Sequence, residues 1–323
     1  MGRKTIALYR NRSALAALVV GVFPNAKAVC MSMCIGWRCL LHRSSEVKRL
    51  RPPYIGAACL GVLTCTACQQ TLAPTPPSPT SSPELTHEQL LLDTFGGPQD
   101  IHILRIAKDK VPACYRFDLA YEHTLLLPTS TFGRRAGAIA AINAGFFDMK
   151  RGGTVTYLER ADTLQSGPLS ENLHRQDVNP HFNAALIIDS LGHLHLDTAR
   201  SPQYYWESQA EDAVLLSGPM LLMDSIRLPL LTHTSFASKR HPRSCLCTTP
   251  KDYLLITVDG RRATAVGMSL PDLQSFLLGL GCHDALNLDG GGSTTLWYRD
   301  SLLNQPSDPT GERPVANVLL VLD

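Results

Sequence analysis

Apolar residues between positions 101 and 322 recur in short runs separated by turn residues, a pattern that predicts strands. Ala184–Asp189 and His193–Asp197 flank the turn Ser190-Leu-Gly192 and predict a hairpin. The other predicted strands are Ile101–Ala107, Tyr115–Tyr121, Ala138–Asn143, Val214–Leu216, Met220–Met223, Ser244–Thr248, Tyr253–Asp259, Ala285–Asp289, Leu296–Tyr298 and Val315–Leu322. Many strands and few helices predict an α+β fold, with mixed, largely antiparallel sheets packed with a few helices.

One helix is marked clearly in the sequence, between Ser269 and Gly281. Ser269 suits the N-cap, Pro271 suits the first turn, and Asp272 complements the positive end of the helix dipole. Gly281 supplies the C-terminal stop. The apolar stripe at helical spacing consists of Leu273, Phe276, Leu277 and Leu280.

The first 68 residues differ in charge from the rest of the 323-residue chain. They carry ten Lys and Arg against one acidic residue, whereas the remainder carries 20 against 27. Such an asymmetry indicates that the two parts meet different environments. Because the remainder lacks the basic surface that nucleic-acid binding needs, we expect no nucleic-acid partner.

Residues 47–68 have the order of a secretory signal segment. Basic residues follow Val47, a short apolar run covers Tyr54–Leu63, and small residues precede Cys68. This order is typical of a bacterial lipoprotein, in which the cysteine is lipidated and becomes the first mature residue. A transmembrane anchor is the alternative, but the apolar run is shorter than the ~20 residues that span a bilayer. We therefore expect an exported protein, periplasmic or on the cell surface, anchored to a membrane through Cys68.

The segments on either side of this signal complete the expected organisation. Residues 69–84 are rich in Pro, Ser and Thr, which predicts an extended tether rather than a packed core. We expect one domain over residues 85–323. Residues 1–46 match no targeting pattern and stay unassigned; one explanation is that translation begins at Val47.

The domain contains four cysteines, Cys114, Cys245, Cys247 and Cys282. They lack the paired spacing of a zinc site, so we predict no metal centre formed by cysteines. A disulfide among them is compatible with export, but the spacing does not assign the pair. No motif requires a cofactor, although carboxylates of the domain would also suit a divalent cation.

The segment from Asn287 to Thr295 carries the strongest chemical signal. A predicted buried strand ends at Asp289, and three glycines then permit close approach of backbone to a ligand. Exposed N–H groups and hydroxyls there would bind an anion. A plain turn is the alternative, but a turn needs only one or two glycines. The residues expected to bind ligand here are Gly290, Gly291, Gly292, Ser293 and Thr294.

Further segments place polar residues or glycine at predicted strand ends. They contribute Arg240 and Arg243, Asp259 and Arg261, Asn143, Gly145 and Phe147, and Gly218. Arginine suits phosphate because its planar fork donates two parallel hydrogen bonds, although an isolated basic loop is usually just solvated. Phe147 would stack on a sugar, although phenylalanine is more often a core residue. We expect these strand ends to converge on one pocket.

These segments, in this order, resemble the phosphodiester glycosidase family over roughly residues 100–323. The matching pieces are Asn143-Ala-Gly-Phe-Phe147, Leu216-Ser-Gly-Pro219, Arg240-His-Pro-Arg243, Thr257-Val-Asp-Gly-Arg261, Gly267-Met-Ser-Leu-Pro271, Leu286-Asn-Leu-Asp-Gly-Gly-Gly-Ser-Thr-Thr295 and Arg313-Pro-Val-Ala-Asn317. After Arg243 the family usually has Thr-Ala and then a glycine, where this chain has Ser244-Cys-Leu-Cys247.

The resemblance implies an enzyme that hydrolyses the bond between a sugar's anomeric carbon and the bridging oxygen of a sugar-1-phosphodiester, for example in a cell-surface glycan or exopolysaccharide. Such a site needs a cation for the phosphate, and a carboxylate that stabilises oxocarbenium character or activates water. We expect Arg243, with Arg240, to hold the phosphate. Asp289 is the first candidate for the carboxylate and Asp259 the second. Asn317, from the last matching piece, is expected to contact the ligand.

Two other classes of function stay open at this point. One is a glycan-binding lipoprotein without catalysis, although the presence of both Asp289 and Arg243 favours an enzyme. The other is a phosphodiesterase that cuts the P–O bond, or a glycosyl-phosphate transferase. In every case the expected partner is a sugar phosphate or glycan, and the sequence leaves the oligomeric state open.

Overall fold

Three antiparallel sheets make up most of the part of the chain that the structure describes. The computed structural model describes residues 85–161, 163–165, 181–208 and 210–323. The expected signal segment, the tether and residues 1–46 lie outside these residues. The expected lipidation of Cys68 therefore stays a prediction.

The largest sheet has seven strands. In the order in which they pair they are β1 (Leu85–Thr94), β2 (Gly97–Ala107), β13 (Asp252–Val258), β12 (Arg243–Thr248), β14 (Asp284–Asn287), β10 (Met220–Met223) and β11 (Ile226–Arg227). The register of its central strands places the first residue of β12, Arg243, opposite the last residue of β13, Val258. Cys245 of β12 likewise pairs with Asn287, the last residue of β14. The ends of three central strands therefore lie next to one another on the same side of this sheet.

The other two sheets have five strands each. The second contains, in pairing order, β16 (Ser301–Leu302), β15 (Leu296–Tyr298), β4 (Ala140–Asn143), β17 (Asn317–Leu322) and β3 (Arg116–Tyr121). The third contains β6 (Thr163–Leu164), β5 (Leu158–Arg160), β9 (Glu211–Ser217), β7 (Ala184–Asp189) and β8 (Leu194–Thr198). Four helices accompany the sheets in the described ranges: α1 (Thr129–Ala136), α2 (Pro202–Glu207), α3 (Ser235–Ser238) and α4 (Leu270–Gly279). The α+β prediction is confirmed, and every strand pairing described is antiparallel.

One hydrophobic core lies between the three sheets, and a helix covers the outer face of each sheet. In β17, Leu319 and Val321 contribute to the shared core, whereas Val318 and Leu320 pack beneath α1. The outer face of the largest sheet packs against α4 in the same way, and that of the third sheet against α2. Strands buried on both faces must be apolar at consecutive positions, which explains their unbroken apolar runs.

The helix predicted from Ser269 is confirmed as α4 and begins with a capping box. The Ser269 hydroxyl accepts a hydrogen bond from the backbone N–H of Asp272, and the Asp272 carboxylate accepts one from Ser269. After the helix, Gly281 has a φ of 83°, which glycine adopts without strain. Among the described residues, none of the helices combines the length and apolar character needed to cross a membrane.

Cys247 and Cys282 form a disulfide, the pair that the sequence alone left unassigned. Cys247 belongs to the segment that departs from the family pattern, and its bond joins β12 to the end of the α4 region. In the same segment Leu246, close to where the family usually has glycine, lies in the shared core. Cys245 is buried without a disulfide, and Cys114 is exposed.

We expect the double substitution Cys247→Ala, Cys282→Ala to lower the free energy of unfolding by about 2–4 kcal/mol. The bond joins residues 35 positions apart, so it restricts a long loop of the unfolded chain. Denaturant titration of the purified domain measures the effect, with the exposed Cys114→Ala as the control that changes no bond. Equal midpoints for the double variant and wild type would contradict a stabilising disulfide.

Candidate active site

The strand ends that the sequence singled out come together around Asp289, just beyond β14. The backbone N–H of Asp289 donates to the carbonyl of Ala144, beyond β4, at 2.9 Å. The N–H of the preceding Leu288 donates to the carbonyl of Ser244 in β12, also at 2.9 Å. The expected convergence is therefore confirmed for these strand ends, and backbone hydrogen bonds hold it between two sheets.

Asp289 has a half-buried side chain with few partners of its own. One carboxylate oxygen accepts the N–H of Gly290 at 2.9 Å. The Ser293 hydroxyl lies close enough to lower the pKa but makes no hydrogen bond of ordinary geometry. Burial outweighs these contacts and the charge of Arg313, and it raises the pKa of Asp289 to about 6. Such a carboxyl group changes protonation state close to neutral pH, as acid–base catalysis requires.

The glycine loop, residues 290–293, brings two guanidinium groups close to its backbone. A Cβ atom on Gly291 would lie 2.8 Å from Nη2 of Arg261, and one on Gly292 would collide with the guanidinium of Arg313. Glycine at both positions therefore permits two arginines to pack directly on the loop. Arg261 is exposed. Arg313 is half-buried, and its Nε donates to the Asp308 carboxylate at 2.7 Å, while its Nη2 lies against Gly292.

The backbone N–H groups of the glycine loop are largely used within the protein. Gly290 donates to the Asp289 carboxylate, Gly291 donates to the carbonyl of Pro242 at 2.9 Å, and Ser293 donates to Gly290 at 3.2 Å. The loop is therefore not the open cradle of N–H donors that the sequence suggested. The groups near this loop that can bind an anion are instead the Ser293 hydroxyl and the guanidinium groups of Arg261 and Arg313.

Five buried polar side-chain atoms surround this loop without a hydrogen-bond partner among the described residues. They are Oδ1 of Asn287, Oγ of Ser293, Oγ1 of Thr294, Oγ1 of Thr295 and Nδ2 of Asn317. Leaving a buried polar group unpaired costs about 1–3 kcal/mol, so such groups are rare in folded proteins. Five of the eleven such atoms among the described residues therefore lie in or close to this loop, where a ligand could pair with them.

Asn143 organises this region rather than projecting into it. Its side-chain N–H₂ donates to the carbonyl of Asp289 at 2.6 Å. Its side-chain oxygen accepts from the hydroxyl of Ser244 at 2.6 Å and from the backbone N–H of Thr295 at 3.0 Å. Asn143 is also almost fully buried, so the structure places it as a brace for the Asp289 backbone and not in reach of a ligand.

Two glycines permit similarly close packing. A Cβ on Gly145 would lie 2.8 Å from a methyl carbon of Leu215, and the Gly145 N–H donates to Oδ1 of Asn317. The carbonyl of Gly218 accepts from the side chain of Asn287 at 2.8 Å. Gly145, Gly218 and Asn317 therefore belong to the site region, where these contacts fix the ends of the strands.

Arg243 is buried, with 2% of its surface exposed. Its Nε donates to the carbonyl of Met268 at 2.9 Å, and its Nη2 donates to the carbonyls of Phe236 at 2.9 Å and Lys239 at 3.1 Å. Burial lowers the pKa of this guanidinium to about 10, so it stays charged at neutral pH. No carboxylate among the described residues pairs with it. Arg243 therefore supplies a buried positive charge, but its fork is directed at backbone carbonyls.

Arg240 lies apart from these groups. It is exposed, and its Nε donates to the carbonyl of Phe95 at 2.8 Å, in the turn between β1 and β2. Its guanidinium covers Gly96 of the same turn, where a side chain would collide with it. The structure therefore shows Arg240 in contact with a hairpin turn rather than with the glycine loop.

Asp259 is buried and fully engaged. Its carboxylate accepts from Nη2 of Arg262 at 2.6 Å, from the side chain of Asn304 at 3.0 Å, and from the N–H of Gln305 at 3.0 Å. The bonds to Asn304 and Gln305 hold the loop that contains these two residues against the end of β13. A carboxylate that holds three donors has little capacity left to act on a substrate, so the geometry favours Asp289 as the reactive group.

Two groups of side chains could hold a cation among the described residues. One comprises Asp100, His102 and Asp259, and the other Asp224, His283 and Asp284; each places three potential ligand atoms within 4.8 Å of one another. In the first group Asp259 is already paired with a guanidinium, and in the second Asp224 is exposed. Neither group contains Asp289.

Of the two adjacent phenylalanines, Phe146 rather than the expected Phe147 is left available to a ligand. Phe147 packs against the hydrophobic cluster beneath α1. Phe146 belongs to none of the hydrophobic clusters of the described residues, and its ring lies 4.8 Å from that of Phe182. Sequence alone could not decide which of the two adjacent rings packs against the hydrophobic core and which stays available to a ligand.

Sequence reasoning also missed Arg313 and His241 as site residues. Arg313 stands at the start of the last piece that matches the family, and that match was the available signal. His241 lies within hydrogen-bonding distance, 3.5 Å, of Nη2 of Arg261. Burial, together with the charges of Arg243 and Arg261, lowers its pKa below the ordinary histidine value.

The fold is similar to that of two solved structures, one of which is a catalytic domain. The catalytic domain of zebrafish N-acetylglucosamine-1-phosphodiester alpha-N-acetylglucosaminidase, auto-inhibited by its pro-peptide, superposes with a TM-score of 0.60 at 19% identity. That match covers 76% of this chain and 85% of the zebrafish chain. A hypothetical protein from Synechocystis superposes with a TM-score of 0.52 at 18% identity, covering 74% of this chain and 62% of that one.

Comparison of sequences then gives the family. Residues 136–322 match the phosphodiester glycosidase family, and the chain belongs to it. A curated relative, the SPbeta prophage-derived uncharacterized protein YomE of Bacillus subtilis (strain 168), is 34% identical over 106 residues. This match covers 32% of the chain but only 16% of YomE.

Proposed function

We propose that this protein hydrolyses the bond between C1 of a sugar and the bridging oxygen of a sugar-1-phosphodiester. The observation that carries the proposal is the half-buried carboxylate of Asp289, whose pKa is raised by burial to about 6. This carboxylate directly precedes the glycine loop, on which the guanidinium groups of Arg261 and Arg313 pack. A cation for the phosphate and a carboxylate for the anomeric centre are the two elements that this reaction needs.

In this mechanism the phosphate is bound by Arg261 and Arg313, whose guanidinium groups pack on the glycine loop. The buried charge of Arg243 adds a positive potential without direct contact, which revises the phosphate role first expected for Arg243 and Arg240. As the C1–O bond breaks, the phosphomonoester leaves with the bonding electrons and needs no strong acid. Ionised Asp289 stabilises the positive charge on C1 or accepts a proton from water, whose oxygen becomes the new hydroxyl at C1.

Product analysis in water enriched in oxygen-18 tests this proposal directly. The substrates are UDP-N-acetylglucosamine and the methyl ester of N-acetylglucosamine 1-phosphate. We expect free sugar that carries the label, together with unlabelled UDP from the first substrate and unlabelled methyl phosphate from the second. Labelled phosphate and free sugar 1-phosphate would instead show a phosphodiesterase, and transfer to an added sugar acceptor would show a transferase. Binding of both substrates without turnover would show a glycan-binding protein.

We expect kcat/KM to fall about tenfold per pH unit below pH ~6, because Asp289 must be ionised to act. An ordinary aspartate, with a pKa near 3.8, would keep the enzyme active down to about pH 4. The pH profile of wild type measures the position of this limb. His241→Gln is the matched control, since it removes the other titratable group near Arg261 and should leave the limb in place. Full activity at pH 4.5 would exclude Asp289 as the titrating group.

We also propose that the protein is exported and anchored through a lipid on Cys68. The order of residues 47–68 supports it, and so does the Cys247–Cys282 disulfide, because such bonds persist in oxidising compartments. Mass spectrometry of the native protein identifies its first residue and shows whether Cys68 carries a lipid. A mature protein that begins elsewhere, without a lipid, would contradict the anchor.

A further inference from the structure

Four aromatic side chains form a contiguous surface, here called the aromatic wall, consisting of Phe146, His181, Phe182 and Phe236. The ring of Phe146 lies 4.8 Å from that of Phe182 and 6.0 Å from that of Phe236, measured between centroids. The ring of His181 lies 6.0 Å from that of Phe236, almost perpendicular to it. All four side chains are half-buried, so each keeps part of its surface open.

The backbone segment that carries Phe146 adjoins Asp289. Phe146 follows Ala144 by two residues, and the carbonyl of Ala144 accepts the N–H of Asp289 at 2.9 Å. The wall also reaches Arg243, whose guanidinium lies 5.5 Å from the ring of Phe236. The wall therefore adjoins the strand ends that carry the carboxylate.

The backbone of Phe182 packs against a second strand end. A Cβ atom on Gly218 would lie 3.3 Å from Cα of Phe182. Gly218 in turn holds Asn287, two residues before Asp289, through its carbonyl. Two separate elements of the fold thus direct aromatic rings towards one region.

Packing among the described residues does not account for these rings. Phe236 lies at the edge of the cluster that packs against α4, but Phe146 and Phe182 belong to no hydrophobic cluster of the described residues. Apolar surface that stays partly exposed next to polar groups is typical of a ligand-binding site. Aromatic faces suit a pyranose because its axial C–H groups form an apolar face while its hydroxyls remain free to hydrogen-bond.

We propose that the aromatic wall is the subsite for the sugar ring, with Phe146 and Phe182 stacking on the apolar face of a pyranose. The assignment rests on the proposed function, which places C1 at Asp289. C1 is itself an atom of the sugar ring, whereas the aglycone begins beyond the phosphate. Because the wall adjoins Asp289 and the guanidinium groups of Arg261 and Arg313 lie on the glycine loop, the wall receives the sugar rather than a nucleobase of the aglycone.

Phe146→Leu and Phe182→Leu test the subsite, since leucine keeps an apolar side chain but removes the aromatic face. We expect each to raise KM about 10-fold, with kcat within about twofold, which corresponds to ~1.4 kcal/mol of binding. Phe147→Leu is the matched control, because Phe147 lies next to Phe146 but packs against the hydrophobic cluster beneath α1. It should lower the melting temperature and leave KM unchanged.

Binding measurements separate this subsite from the reaction. Titrations followed by NMR use the methyl glycosides of glucose, galactose and N-acetylglucosamine, with inorganic phosphate and UMP as the other probes. We expect Phe146→Leu and Phe182→Leu to weaken pyranoside binding and leave phosphate binding intact. If pyranoside binding is weakened in this way but no phosphodiester is hydrolysed, the proposed function fails and the sugar subsite stands.

Three results would overturn the subsite. The first is pyranoside affinity unchanged in both variants, or absent in wild type. The second is an equal loss of phosphate affinity, which would mean that the whole pocket had collapsed. The third is a selective loss of UMP binding, which would assign the wall to a nucleobase.

Discussion

Asp289→Asn is expected to fold normally and to turn over sugar-1-phosphodiesters at least ~100-fold more slowly, the scale for losing a positioned acid–base group. Asparagine keeps the size of the side chain, and its oxygen can still accept the N–H of Gly290. It cannot carry the negative charge that a positive C1 centre or an attacking water requires. The measurement is kcat of the purified variant at pH 7.5, on the substrate that wild type hydrolyses.

The same substitution should raise stability at neutral pH. Because burial raises the folded-state pKa of Asp289 to about 6, above the ordinary 3.8, the folded protein holds this proton more tightly than the unfolded chain does. Its contribution to stability is complete below pH ~4 and declines as pH rises through about 6. The melting temperatures of the asparagine variant and wild type should therefore diverge between pH 4 and pH 7, with the variant higher at pH 7.

Asp259→Asn is the matched comparison, because this carboxylate holds Arg262, Asn304 and Gln305. We expect it to lower the melting temperature at pH 7, since it leaves a buried guanidinium without its counter-charge. A large fall in stability for Asp289→Asn with kcat little changed would reverse the assignment and return Asp259 to the catalytic role.

The sequence predicted the buried elements well because their patterns follow from burial itself. The capped start of α4 and the hairpin of β7 and β8 were both expected and both found. Several strands and helices were missed, among them β1 and α1 at the domain's surface. β1 is an edge strand with mostly exposed residues, so it lacks apolar alternation. α1 contains Gly133, a poor helix former whose lack of a side chain makes room for the ring of Trp297.

The site was predictable only as far as the backbone determines it. Strand ends that carry Asn or Asp before glycine were expected to converge, and they do. Which side chains point into the pocket depends on contacts between residues far apart in sequence. Asp259 is held by Asn304 and Gln305, and Arg243 by carbonyls that include that of Met268. No local sequence pattern predicts hydrogen-bond partners that are 25 or 45 residues away.

Arg243→Lys is expected to lower the free energy of unfolding by about 2–4 kcal/mol, and activity with it. The guanidinium donates to three backbone carbonyls in fixed directions, and a lysine ammonium cannot reproduce that geometry. The adjacent Pro242 carbonyl accepts the N–H of Gly291, so a shift of this segment would also displace the glycine loop. Denaturant unfolding and kcat/KM of the same preparation measure the two effects.

Arg261→Gln provides the contrast that separates a structural arginine from a phosphate ligand. Arg261 is exposed, and its guanidinium packs on Gly291, so its loss should weaken binding of inorganic phosphate about 10-fold without changing the melting temperature. If Arg243→Lys instead kept its stability and lost phosphate affinity, the Arg243 fork would be a direct phosphate ligand after all. The buried charge of Arg243 would then be neutralised by substrate itself, since no carboxylate among the described residues pairs with it.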